Sequence, residues 1–288
     1  MPRISVLMPV YNTKPEHLRE AMDSILSQTF TDFEFLILND CSPNADVEEV
    51  VKSYADPRIV YAVNEHNLGI SGTRNRLLDM AQGEYLAVMD HDDISLPERF
   101  AKQAAFLDAH PEVGIVGCQV WNCVTRKDRR LPLKNTDIKK NMMLGCAFCH
   151  PAIMMRASVL KEHGIRYEEL FSPAEDYALF CRLMKHTDFA NLPEVLFHYR
   201  DWEGNTSHKQ NTAMASATLG IEYFVRKENP EIWAMAQYHI KRKERIKILG
   251  HTLFVVIRTH MFVEWKLFGS ISVFKKKYHP AGSWLFTD

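Results

Sequence analysis

Residues 83–93 read Gly-Glu-Tyr-Leu-Ala-Val-Met-Asp-His-Asp-Asp, a short apolar run that ends in three carboxylates. The apolar residues 85–89 have the length of a buried strand. Three acidic side chains within four residues repel one another, and a cation among them removes that repulsion. Carboxylates beside a phosphate are the usual setting for Mg²⁺ or Mn²⁺. A helix N-cap with solvated acids explains the same residues equally well, so this stretch alone leaves both interpretations open.

Strand and helix patterns alternate around this stretch. The expected elements are strands at residues 4–8, 33–38 and 59–63, a helical apolar stripe at residues 18–26, and helices at residues 45–54 and 71–81. This alternation predicts an α/β fold whose central sheet is mostly parallel and covered on both faces. Ligands of such sheets bind at the carboxyl ends of the strands, where Tyr11-Asn12, Asp40 and Asp90 stand.

Two helix starts are predicted from capping-box spacing. Thr13 and Glu16 precede the first helical stripe, and Ser95 and Glu98 precede a later one. In such a box the hydroxyl accepts a hydrogen bond from a backbone N–H of the first helical turn. We therefore expect both hydroxyls to cap a helix.

Composition and charge exclude some classes of protein. The chain has 288 residues, 46% of them apolar, which suffices for a packed core and allows one or two domains. A net charge of −1 gives no basic field for nucleic acid. Neither a run of eighteen apolar residues nor a signal-peptide pattern is visible. We therefore expect a cytoplasmic protein that does not bind nucleic acid.

The C-terminal residues 208–288 differ from the rest and are predicted to form a helical extension. From Ile221 onward, the sequence contains twelve Lys and Arg and six Asp and Glu, interspersed with aromatic residues. Such a tail suits the surface of an anionic bilayer, which would place the protein on the cytoplasmic face of the inner membrane. A helical subdomain packed on the core has the same composition, and both interpretations stay open.

Three further motifs carry candidate ligand contacts. Asp40 can accept a hydrogen bond from a nucleobase ring N–H, although turns also favour Asp. Residues 67–75 contain two glycines at the start of a predicted helix, and Arg74 adds a positive charge. The N-terminus of such a helix favours the binding of an anion. Glu175-Asp176 opens a helix, where acids commonly complement the helix dipole. Each motif therefore has a local structural explanation beside the functional one.

Taken in order, the motifs resemble the family 2 glycosyltransferases, the inverting group with the GT-A fold. The matching stretches are residues 5–12, 18–30, 39–42, 67–75, 83–93, 96–97, 150–151, 154–156 and 175–176. The resemblance covers about residues 3–207 and implies a first domain of that extent, with a nucleotide-sugar half at 1–100 and an acceptor half at 101–207. It implies sugar transfer from a nucleotide-sugar, first of all a UDP-sugar, to a hydroxyl of a glycan or lipid-linked glycan. The setting it implies is cell-surface polysaccharide or lipopolysaccharide synthesis.

The resemblance also implies site residues and a cofactor, Mn²⁺ or Mg²⁺. The implied residues are, for the donor, Pro9, Tyr11, Asn12, Asp40, Arg74 and Asp90; for the metal, Asp92; for catalysis, the base Asp176 with its neighbour Glu175; and on the acceptor side, His150 and Trp202. Trp202 departs from the family pattern, which often has histidine there. That departure puts a third protein ligand for the metal in doubt, with His198 and His208 as substitutes.

Two other functions are weighed against sugar transfer. A metal-dependent nucleotidyltransferase would release pyrophosphate, but the sequence lacks an evident Gly-rich loop with Lys for a triphosphate. The second is a catalytically inactive module that binds sugar nucleotides, and the presence of Asp90, Asp92 and Asp176 argues against it. Assaying donor hydrolysis with and without Mn²⁺ separates the three.

Overall fold

In this computed structural model the described residues are 1–43, 45–201 and 211–237, followed by the strand segments 242–248, 251–258, 262–267 and 271–277. The chain divides into two units, Met1–Phe224 and Val225–Asp288. The predicted boundary at residue 207 lies outside the described residues, so the predicted domain division stays a prediction. Among the described residues, no helix has the length and apolar content needed to cross a membrane.

The described part of the first unit contains a nine-stranded sheet. Its strands are β1 Ile4–Val10, β2 Phe33–Asn39, β3 Ile59–Val63, β4 Tyr85–Val88, β5 Ile94–Ser95, β6 Val113–Asn122, β7 Lys127–Arg129, β8 Met154–Arg156 and β9 Asp188–Tyr199. Their order is β3-β2-β1-β4-β8-β6-β9-β5, with β7 paired to β6. Strands β1 to β4 run parallel, as do β6 and β9, whereas β8 is antiparallel to both neighbours. The predicted mostly parallel sheet is confirmed.

Helices flank this sheet and follow it along the chain. The described helices are α1 Pro15–Leu26, α2 Asp46–Lys52, α3 Gly69–Met80, α4 Arg99–Ala109, α5 Asn135–Met142, α6 Ala157–His163, α7 Glu175–Leu183, α8 Asn211–Glu228 and α9 Pro230–Gln237. The apolar stripe of α1, formed by Leu18, Ala21, Met22 and Ile25, is completely buried in the core. Burying each larger side chain of such a stripe contributes about 1.5–3 kcal/mol.

Both capping-box predictions are wrong. Helix α1 begins after Lys14 without a side-chain cap, and the Thr13 hydroxyl is buried with no partner among the described residues. Pro15 stands at the first helical position, where its missing N–H and preset φ start a helix without that cap. Ser95 lies in β5, and its hydroxyl accepts a hydrogen bond from Gln28 Nε2 at 3.1 Å instead.

Arg99, the first residue of α4, is a completely buried cation that the sequence analysis missed. Its Nη2 donates to the Val88 carbonyl at 2.8 Å and its Nη1 to the Pro151 carbonyl at 2.9 Å. Burial lowers its pKa to about 10. Because Val88 ends β4, Arg99 holds the start of the acidic turn against the segment that follows His150.

In the second unit the described strands form an antiparallel sheet. They are, in pairing order, β10 Arg242–Ile248, β11 His251–Arg258, β12 Phe262–Leu267 and β13 Ile271–Lys277. The C-terminal helices expected from the sequence are confirmed over residues 211–237, whereas the described segments from Arg242 onward are extended. Runs of aromatic and β-branched residues such as Phe254-Val255-Val256-Ile257 favour strands over helices, which accounts for the difference.

Candidate active site

The first predicted donor residues lie at the carboxyl ends of β1 and β2. The Asp40 backbone N–H donates to the last carbonyl of β1 at 2.8 Å, and the Asn12 N–H donates to Ser42 Oγ at 3.0 Å. Tyr11 is 48% exposed, while Pro9 is buried within β1. Tyr11, Asn12 and Asp40 therefore lie together at one edge of the sheet, as predicted.

Asp40 is buried and already organises the loop that follows β3. Its Oδ1 accepts hydrogen bonds from Asn64 Nδ2 at 2.6 Å and from the Leu68 backbone N–H at 2.8 Å. Among the contacts between described residues, both bonds use Oδ1. The other oxygen, Oδ2, is therefore the atom available to a ligand N–H.

Arg74 on α3 joins the two acidic segments that the sequence analysis singled out. Its Nη1 donates to Glu175 Oε1 at 2.5 Å, and its Nη2 lies 3.5 Å from Asp90 Oδ1. Burial lowers the pKa of Arg74, but the carboxylates of Glu175 and Asp90 raise it by more. The guanidinium is thus a permanent positive charge between β4 and α7.

The acidic turn after β4 is tied to the end of β9 by Arg200. Asp93 is buried, and its Oδ1 accepts the Arg200 backbone N–H at 2.7 Å. The Arg200 Nε donates to the Asp92 carbonyl at 2.7 Å, and its guanidinium pairs with Glu20 of α1. Burial, then the charges of Asp92 and Asp90, raise the pKa of Asp93 well above its ordinary value. Asp90 and Asp92 stay partly exposed, whereas Asp93 supports the turn.

The two acids at the start of α7 have different surroundings. Glu175 is 3% exposed and is occupied by its ion pair with Arg74. Asp176 is partly exposed, and its Oδ1 accepts the Tyr177 N–H at 2.7 Å. Partial burial, then the Glu175 charge, raise the pKa of Asp176 to about 6. A general base works best when its pKa lies near the operating pH, so Asp176 has the chemical character of a base.

Of His150 and Trp202, the predicted acceptor-side pair, His150 belongs to the described residues. His150 is buried, and its Nε2 lies 2.8 Å from the Tyr167 hydroxyl. Burial, and then the Arg74 cation, lower its pKa far below the ordinary value, so the imidazole is neutral. Trp202 lies outside the described residues. The acceptor role of both residues stays a prediction.

Two acids of the acidic turn are the candidates for holding a metal ion. Within the described ranges, no group of three or more His, Cys, Asp and Glu side chains could hold a metal ion. Asp90 and Asp92 nevertheless offer partly exposed carboxylate oxygens. Mg²⁺ is commonly held by one or two carboxylates together with substrate phosphates and water. The donor set therefore fits an ion whose coordination a bound nucleotide would complete.

Comparison with known proteins identifies the family. The family described as Glycosyl transferase family 2 matches residues 5–164. This chain is a family 2 glycosyltransferase. An uncharacterized glycosyltransferase of Methanocaldococcus jannaschii is 31% identical over 207 residues, which are 69% of this chain and 71% of that protein. The amylovoran biosynthesis glycosyltransferase AmsE of Erwinia amylovora is 34% identical over 203 residues, covering 68% of this chain and 75% of AmsE.

Solved structures confirm the GT-A-like fold of this family 2 glycosyltransferase. Residues 1-349 of S. aureus TarS in complex with UDP-GlcNAc superpose with a TM-score of 0.60 at 19% identity, covering 82% of this chain and 80% of that chain. The mannosyltransferase PcManGT of Pyrobaculum calidifontis, in complex with GDP-Man and Mn²⁺, gives 0.59 at 17% identity and covers 82% and 73%. At these identities the likeness concerns the fold alone.

The sequence analysis of this glycosyltransferase left Arg200 and Tyr167 without a role. Arg200 stands two positions before Trp202, and its sequence neighbours give no sign of its contacts with the acidic turn. Tyr167 is a buried aromatic residue in a loop, and no local pattern distinguishes it from ordinary core residues. Its contacts with Arg74 and His150 become visible only when three distant segments meet.

Proposed function

We propose that this glycosyltransferase moves a sugar from a nucleotide-sugar to a hydroxyl of a glycan acceptor, with inversion of the anomeric centre. The observation that supports this best is the link from Asp90 through Arg74 to the start of α7, where Asp176 carries a pKa of about 6. A donor-side acid and a candidate base are thus connected by one side chain. The names of AmsE, TarS and PcManGT support a carbohydrate product and a nucleotide-sugar donor.

The donor subsite is proposed at the edge formed by β1 and β2. Asp40 Oδ2 is suited to accept the ring N–H of uracil, and the exposed Tyr11 ring is suited to stack on the base. Guanine also offers a ring N–H, so a UDP-sugar is the first choice and GDP-mannose the second. Arg74 is buried and paired, so its role toward the donor is electrostatic.

The metal is proposed to depend on the donor. Asp92 would hold Mn²⁺ or Mg²⁺ together with the diphosphate, and the ion would supply positive charge against the leaving group. Asp90 remains the proposed contact to the ribose. Because few protein ligands are involved, metal affinity should be weak in the free protein and rise when nucleoside diphosphate is added.

Asp176 is the proposed general base. Its carboxylate accepts the proton of the acceptor hydroxyl, whose oxygen forms a bond to the anomeric carbon. The bond from that carbon to the diphosphate oxygen breaks, and its electron pair leaves with the diphosphate. Attack from the face opposite the leaving group converts an α-linked donor into a β-linked product. Glu175 is occupied by its ion pair with Arg74 and is proposed to position that cation.

The acceptor is proposed to be a growing cell-surface polysaccharide or a lipid-linked glycan, met at the membrane surface through the basic C-terminal tail. Flotation of the full chain with anionic liposomes tests the membrane part of this proposal. A variant with Lys275, Lys276 and Lys277 changed to Ser should be recovered less. Equal recovery of both proteins would contradict a role for these residues.

The donor is tested by thermal unfolding with UDP, GDP or CDP, each with and without Mn²⁺. We expect UDP to stabilise the protein against thermal unfolding, and Mn²⁺ to increase that stabilisation. In a separate assay, the protein should release UDP from UDP-GlcNAc. Stabilisation by CDP but not UDP would contradict the uridine assignment. Release of pyrophosphate from a nucleoside triphosphate would instead support nucleotidyl transfer.

A further inference from the structure

A buried aromatic contact lies against the arginine that links the donor side to the base. The Arg74 guanidinium carbon lies 5.5 Å from the centroid of the Tyr167 ring. This distance is within the range of a cation–π interaction, which is stronger in a desolvated site. The Arg74 Nε is buried and makes no hydrogen bond among the described residues. The ring therefore covers a guanidinium that is otherwise oriented only by its carboxylate partners.

Tyr167 is itself fixed from two directions. The Asn75 side chain forms two hydrogen bonds with the Tyr167 backbone, donating to its carbonyl at 2.8 Å and accepting its N–H at 3.0 Å. The Tyr167 hydroxyl lies 2.8 Å from His150 Nε2, and His150 Nδ1 is buried without a partner within the described segments. The hydrogen bond between the hydroxyl and Nε2 holds the hydroxyl end of the ring, and its direction is set by the tautomer of His150. This arrangement leaves the ring little freedom to move.

We propose that Tyr167, held by Asn75 and His150, is a positioning residue that keeps the Arg74 guanidinium between Glu175 and Asp90 and therefore close to Asp176. The proposal rests on the proposed function in taking Asp176 as the base. It gives Tyr167 and His150 a role in the charge state of the base, and it requires no contact of either side chain with substrate.

The groups that act on Asp176 come from several elements. On its own helix Glu175 raises its pKa, and Asp90 after β4 acts in the same direction. The cation of Arg74 on α3 lowers it. Two neutral groups, Cys146 after α5 and Tyr167, face it as well, and burial keeps both protonated. A guanidinium that moves away would leave the acids unopposed, so the pKa of Asp176 would rise.

The test measures this without an activity assay. Four full-length proteins are compared by urea unfolding from pH 4.5 to 8.5: wild type and Tyr167→Leu, each with and without Asp176→Asn. Because the folded pKa of Asp176 is raised, its contribution to stability is complete below its unfolded pKa, near 3.8, and is lost as pH rises through about 6. The gain in stability from Asp176→Asn should therefore grow with pH and level off above about pH 6.

In the Tyr167→Leu background we expect the gain to level off at a pH higher by about half a unit or more. Tyr167→Phe keeps the ring but loses the hydroxyl that bonds His150, so its curve should level off at a pH between those of the wild type and Tyr167→Leu. Tyr85→Leu is the matched control, because its buried ring contacts Arg3 and Arg156 at 5.6 Å and 5.4 Å away from the proposed site. It should lower the free energy of unfolding at every pH without changing the pH at which the gain from Asp176→Asn levels off.

Identical curves in the wild-type and Tyr167→Leu backgrounds would overturn the proposal, since Tyr167 would then only support the fold. Where transfer is measurable, the acid limb of the turnover rate should move in the same direction as the unfolding curve. A wild-type protein that neither binds nucleotide nor releases diphosphate would refute the proposed function. The unfolding comparison would still decide whether Tyr167 controls Asp176.

Discussion

The acidic turn after β4 and the acidic start of α7 are built alike but use their arginines differently. In each segment one carboxyl is buried and bonded, Asp93 in the turn and Glu175 on the helix. In each, another acid remains partly exposed. The difference is the partner: Asp93 accepts a backbone N–H of Arg200, whereas Glu175 forms an ion pair with the Arg74 side chain.

This difference distinguishes an acid that supports the fold, Asp93, from the acids of α7, which lie beside a buried cation. A backbone N–H neutralises no charge, so the pKa of Asp93 stays raised by burial and by Asp92 and Asp90. A guanidinium brings a full positive charge, which lies between Glu175 and Asp90. Asp176 therefore lies beside both a negative and a positive charge, and its pKa of about 6 reflects burial and Glu175 outweighing Arg74. Substitutions in the two segments test this difference.

The largest effect is expected at the base. Asp176→Asn keeps the shape of the side chain and removes its basicity, so turnover should fall by about a hundredfold to ten-thousandfold. UDP affinity, measured by calorimetry, should stay within about twofold of the wild type, an estimate that follows from confining the loss to proton transfer. If Asp176→Asn kept near-normal turnover while Glu175→Gln lost it, the two roles would have to be exchanged.

Breaking the ion pair between Arg74 and Glu175 should have the next largest effect, a loss in the free energy of unfolding. Glu175→Gln leaves the Arg74 charge buried with only Asp90 at 3.5 Å, and such a change typically costs about 3–5 kcal/mol. Urea unfolding measures the loss. The double variant Arg74→Met/Glu175→Gln removes the stranded charge and should recover part of it. A cost below about 1 kcal/mol for Glu175→Gln would mean that the pair behaves as a solvated surface contact.

Within the turn, the exposed and buried acids should respond differently. Asp92→Asn removes a proposed metal ligand and should weaken UDP binding in the presence of Mn²⁺ by about tenfold or more. Asp93→Asn keeps an oxygen that accepts the Arg200 N–H, so it should change that affinity little. Calorimetry with and without Mn²⁺ compares the two. Tight Mn²⁺ binding to the free wild-type protein would contradict a donor-dependent site.

Much of the first unit could be predicted from the sequence because its signals are local. Continuous apolar runs predicted β1, β2 and β4, because a strand that is buried on both faces does not alternate apolar and polar residues. The two-residue β5 and the three-residue β7 lie below the length at which a pattern becomes visible. Helix starts were the weakest local prediction, because a capping box is only one of several ways to begin a helix.

The site was predictable in its acids but not in their partners. Asp90, Asp92, Glu175 and Asp176 stand in short motifs, so their positions were visible in the sequence. Which acid is neutralised depends on an arginine 101 residues away in the chain, and no local spacing encodes that contact. The same holds for Tyr167, which lies 92 residues from its partner Asn75. Tertiary contacts between distant segments therefore determine the division of roles.

The smallest effect is expected where a backbone atom makes the essential bond. Arg200→Lys keeps the N–H that Asp93 accepts and removes the Nε–H that donates to the Asp92 carbonyl. Losing one such hydrogen bond costs about 0.5–1.5 kcal/mol, and the pairing with Glu20 can be kept by the ammonium group. Arg74→Lys is the matched change in the other segment, and it should cost clearly more. Lysine cannot contact Glu175 and Asp90 with two separate nitrogens, and it loses the planar contact with the Tyr167 ring. Urea unfolding of the two variants at pH 7.5 compares them directly. Equal costs would show that the two arginines are equivalent supports, and the distinction between a backbone-bonded and a charge-paired acid would then have no energetic consequence.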